Sequence, residues 1–66
     1  MTYRTTIEKI APTYDPRHVE AMIRVEHSVL DWMTPARFRR EVKFACACID
    51  EAGPEMSEQI AKSFGF

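Results

Sequence analysis

The sequence predicts an all-α protein, a compact three-helix bundle with helices over about 16–28, 35–52 and 54–64. Three observations carry this. A capping residue stands directly before a proline twice, Asp15 before Pro16 and Thr34 before Pro35. Apolar residues then recur at three- and four-residue intervals, the period of a helix with one buried side. Both glycines, Gly53 and Gly65, fall where such a run stops.

The first start combines three local signals. Asp15 can accept a hydrogen bond from a free N–H of the opening turn, and Pro16 fills the position where a missing N–H costs nothing. Tyr14 and Val19 occupy the two positions of a hydrophobic staple. Val19, Met22 and Ile23, joined by Leu30, form the apolar stripe, and Glu20 and Arg24 are spaced for an ion pair. The second start repeats that logic, with Thr34 as cap, Pro35 at the first position and Met33 with Phe38 as staple. At about 100° per residue, Phe38, Val42, Ala45, Ile49 and Ala52 fall on one side of the helix. Arg39, Arg40, Lys43, Ala47, Asp50 and Glu51 fall on the other.

Gly53 suits the end of that helix, and Pro54 opens the next. There Met56, Ile60, Ala61 and Phe64 are expected to face the core. Gly65 is placed to close a Schellman turn, with Phe66 folding back. The segment from Ser28 to Met33 has capping-box-like spacing between Ser28 and Asp31, which suits one extra turn or a tight connection.

Residues 1–14 read as an N-terminal arm ahead of a helical domain over 15–66. Thr5 and Glu8 have capping-box spacing, and Ile7, Ile10 and Ala11 share a face before Pro12. A short helix over 6–11 and an extended arm are the two forms open to this stretch, since so few residues do not hold a helix alone.

The bulk composition narrows the functional classes. Sixty-six residues make one small domain, with too little volume for a substantial ligand pocket, so no small-molecule substrate is expected. A net charge of −1 gives no global pull toward nucleic acid or an anionic membrane. Apolar runs are too short to span a membrane, and the first ten residues lack the apolar stretch of a signal peptide, so the expected compartment is the cytoplasm. Cys46 and Cys48 would point about 200° apart on a helix and read as small apolar residues. His18 and His27 are nine apart and would point to opposite sides of a continuous helix. No nucleotide-binding glycine loop, nucleophile elbow or zinc-binding cysteine set is present. The expectation is a non-enzymatic chain with no cofactor and no metal.

Two features remain to be explained by function. Arg37, Arg39, Arg40 and Lys43 crowd the first half of one helix, where cations oppose the helix dipole. Asp50, Glu51, Glu55 and Glu58 crowd the other end, which makes the molecule bipolar and opens a route to self-association. Trp32 and Phe44 form an apolar surplus, and Trp32, at a helix junction, can either cap the small core or anchor an interface. Phe44 lies about 120° from the centre of the apolar stripe, so it is either covered by a flanking helix or exposed. Trp32, Arg37, Arg39, Arg40, Lys43 and Phe44 are therefore the candidate interaction residues. A protein partner or a homodimer is the expected use, because Trp and Arg anchor interfaces. The alternative is a helix-turn-helix-like nucleic-acid domain using the four cations.

Overall fold

The computed structural model describes residues 3–27 and 32–66. Among these described residues four helices form rather than three: α1 over Tyr3–Ile10, α2 over Pro16–Glu26, α3 over Pro35–Ala52 and α4 over Pro54–Ser63. The capping-box reading of Ser28 and Asp31, and Leu30's place on the stripe, lie outside the described residues.

The extra helix is α1. It is already running at Tyr3, so Thr5 lies inside it rather than ahead of it. Its eight residues hold their shape by burying Ile7 completely and Tyr3 partly against the other helices. The backbone N–H of Ala11 closes its last turn on the Ile7 carbonyl at 2.7 Å.

Both Pro-led starts form as their local chemistry dictates. The Asp15 carboxylate accepts from the Arg17 backbone N–H at 2.9 Å, and the Thr34 hydroxyl accepts from that of Arg37 at 3.2 Å. The Arg17 guanidinium also binds Asp15 at 3.0 Å, which holds that carboxyl below its ordinary range. α2 ends at Glu26 with His27 as its cap, and α3 ends at Ala52. Gly53 then adopts φ 92° and ψ 156°, a conformation in which a side chain would be strained. Gly65, at φ 80°, closes the Schellman turn: the Phe66 N–H donates to Ala61 and the Gly65 N–H to Lys62.

The core is one cluster built from Ile7, Ala11, Val19, Ile23, Met33, Phe38, Val42, Ala45 and Ile49, so α1, α2 and α3 all feed it. α2 touches each of the other three helices, whereas α1 and α4 do not meet among the described residues. The expected stripe of the last helix is corrected here. Met56 and Phe64 are exposed, and the fully buried position is Ser57, together with Ala61. α4 packs against both α2 and α3, and the residues it buries are small, Ser57 and Ala61. Ser57 can sit there because its hydroxyl donates to the Gly53 carbonyl at 3.5 Å, one turn back. Ala52, expected on the α3 stripe, is also exposed, because the helix has reached its last residue by then.

Candidate functional site

α3 presents two flanks beside its buried stripe. On one flank, Arg37, Arg40, Glu41 and Phe44 recur at helical spacing and, with Glu26 and His27 from the end of α2, line a shallow depression of about 490 Å³. Trp32, just before α3, joins this group from the side. Its ring meets the His27 imidazole edge-on at 5.8 Å between centroids, and the Arg37 guanidinium lies over its face at 4.8 Å. His27 Nε2 is 3.0 Å from Glu41 Oε2, an ion pair whenever the imidazole is protonated. The chain from Trp32 through His27 to Glu41 therefore ties the α2–α3 connection to α3 itself.

Exposure settles the two ambiguous aromatics. Trp32 is 51% and Phe44 53% exposed, so neither is needed for the core. Trp32 is nevertheless held in place by its ring contacts. A cation stacked on an exposed indole contributes about 0.5–1 kcal/mol, enough to bias its orientation.

The other two candidate residues lie elsewhere. Arg39 borders a depression of about 370 Å³ between α1 and the start of α3, floored by Tyr3, Ile10, Met33 and Phe38. The Tyr3 and Phe38 rings meet there at 4.6 Å. Lys43 borders a third depression, next to Tyr14, Cys46 and Asp50. The structure thus groups Trp32, Arg37, Arg40 and Phe44, and places Arg39 and Lys43 on the opposite flank of α3.

Three arrangements were not read from the sequence. The Tyr14 hydroxyl donates to the Asp50 carboxylate at 2.7 Å, bridging the α1–α2 turn to the end of α3. That bond pushes the phenol up to about 12. The second is the His27–Glu41 contact, which depends on how α2 ends beside α3. The third is the Arg24 guanidinium against Phe66, 5.4 Å from the ring centre; the pairing of Arg24 with Glu20, at 3.4 Å, forms as its spacing predicts. Glu20 is only 8% exposed, and Arg24 supplies its ion pair.

The acidic cluster is partly engaged. Asp50 accepts from Tyr14, and Glu58 pairs with Lys62 at 3.5 Å. Glu51 and Glu55 are exposed, with no ion pair among the described residues. Both cysteines are free, and burial followed by the nearby Asp50 carboxylate raises the Cys46 thiol, keeping it protonated. Among the described residues no three His, Cys, Asp or Glu side chains gather where a metal ion could bind. No described helix is long and apolar enough to cross a membrane.

This geometry defines a class: a small all-helical protein whose most distinctive surface is an aromatic and basic face across α3. Comparison with family models, with curated proteins and with solved structures found no match.

Proposed function

We propose that the chain is a small, non-enzymatic protein-interaction module of the cytoplasm that binds through Trp32, Arg37, Arg40 and Phe44. The observation that carries this is the pairing of two half-exposed aromatics with two arginines around one depression. Trp and Arg are the side chains that most often dominate binding energy at protein interfaces. The Trp32 ring is already oriented by His27 and Arg37, so less conformational freedom is lost when a partner covers it. Arg37 and Arg40 favour a partner segment that carries carboxylates next to an apolar side chain.

A displayed peptide library combining Asp or Glu with Leu or Phe tests the reading. Trp32 is the sole tryptophan, so its emission reports binding directly. Selected peptides should shift that emission, and Phe44→Ala or Arg37→Ala should weaken them about tenfold. Arg39→Ala should leave affinity unchanged. A library that yields no peptide able to alter Trp32 emission would count against the proposal.

The nucleic-acid reading draws on the same four cations, which border different depressions around α3. Retarded migration of duplex DNA or RNA at low salt, lost on Arg39→Ala or Lys43→Ala, would favour it over the protein-binding reading.

A further inference from the structure

Resting on the protein-binding reading, we infer that the partner on α3 is a second copy of this chain, with the two α3 helices antiparallel about a twofold axis. The argument starts from the outer ridge of α3, the side turned away from the core. Ala36, Arg40, Phe44, Ala47 and Glu51 recur there at intervals of three and four, and all five are exposed. Arg40 and Glu51 are eleven residues apart, which is three helical turns and about 16 Å along the axis. They therefore stand nearly in line, one near each end of the ridge. Neither has an ion pair among the described residues.

Turning a second copy end for end about the midpoint of that interval sets Arg40 level with the second copy's Glu51, and Glu51 level with the second copy's Arg40. The same operation sets Phe44 level with the second copy's Ala47, and the two Phe44 rings about one turn apart on the same side. Large thus meets small at the centre, and opposite charges meet at both ends. The basic half of each α3 thus faces the acidic end of the other. A parallel alignment in register would instead put Arg40 on Arg40 and Glu51 on Glu51.

Closure also favours the twofold arrangement. A bipolar molecule joined head to tail leaves one basic and one acidic end unsatisfied and grows into an open chain. The antiparallel pair uses both ends of both copies at once and stops at two. One helix from each copy covers less than the roughly 800 Å² per partner of a standard stable complex, so the pair is reversible and concentration-dependent.

Sedimentation equilibrium on the native chain, with two charge-reversal variants, tests this. Arg40→Glu and Glu51→Arg each set like charges against each other twice across the axis. Each should weaken self-association about tenfold or more, with helical circular dichroism unchanged because both positions are exposed. An equimolar mixture of the two variants should pair again as a heterodimer, and the doubly reversed chain should recover native self-association. A native chain that stays monomeric to about 1 mM overturns the inference. So does a mixture that associates no better than its components. If the chain stays monomeric while an acidic peptide still shifts Trp32 emission, the second copy is excluded and the wider protein-binding reading survives.

Discussion

Tyr14 shows how one hydroxyl can set a pH limit on the fold. Its bond to Asp50 exists only while the phenol keeps its proton, and the neighbouring carboxylate disfavours the phenolate. The folded-state value is about 12, against 10.0 for the free side chain. An acid whose value rises on folding contributes stability that is complete below the unfolded value and is lost as pH climbs through the folded one. Resistance to urea should therefore hold up to about pH 10 and fall between about 10 and 12. Tyr14→Phe should be less stable at neutral pH, and it should lose both the delayed phenolate absorbance and that alkaline decline. If the variant keeps the delayed signal, the bond to Asp50 is not its source. None of this could be read from the sequence, since the two residues are 36 positions apart and their meeting depends on how the α1–α2 turn packs on α3.

At the scale of single elements, the legible parts were those governed by nearest neighbours. Asp15 with Pro16 and Thr34 with Pro35 fix helix starts through bonds spanning two or three residues, and both form. Gly65 and Phe66 close their turn for the same reason. The inward face of α4 was misread because apolar character was equated with burial. Where two helices approach closely, a small side chain with a local hydrogen bond is admitted in preference to a long one. Ser57 meets that condition and Met56 does not. Ser57→Leu should accordingly destabilise the protein by about 1–3 kcal/mol through overpacking, despite adding apolar bulk. Met56→Gln should be nearly neutral. Denaturant midpoints for the two variants decide the matter, and equal midpoints would mean that the packing around Ser57 has room to spare. The candidate surface was half legible. Helical spacing sets Arg37 apart from Arg39 and Lys43 but leaves Arg40 between the two groups, and the part played by His27 and Glu41 depends on how α2 ends beside α3.

For the molecule as a whole, the Cα radius of gyration of 10.6 Å is close to the roughly 10.8 Å expected of a tightly packed chain of this length. The first helix is integral to that packing. Ile7 is fully buried in the shared cluster, and the Tyr3 ring lies on Phe38. Ile7→Ala should cost about 2–4 kcal/mol of global stability, a large fraction of what so small a domain possesses. Thermal unfolding should remain a single transition, with its midpoint lowered by about 10 °C or more. A separate early transition confined to α1 would show instead that this helix is an attachment and not part of the cooperative unit. The sequence left this open because eight residues carry no intrinsic helical stability; only the surface they land on decides the matter.

The charges of α3 run against its own polarity. No acid stands in its first turn and no base in its last, while Arg37, Arg39 and Arg40 sit near the positive pole and Asp50 and Glu51 near the negative one. Dissolved ions therefore have two opposed effects. Screening relaxes the unfavourable field inside an isolated helix and also weakens any attraction between that helix and an oppositely charged surface. A dilute, ion-poor medium makes the solitary protein least comfortable and an association through α3 most favourable, so ionic strength would act as the dial between the two states.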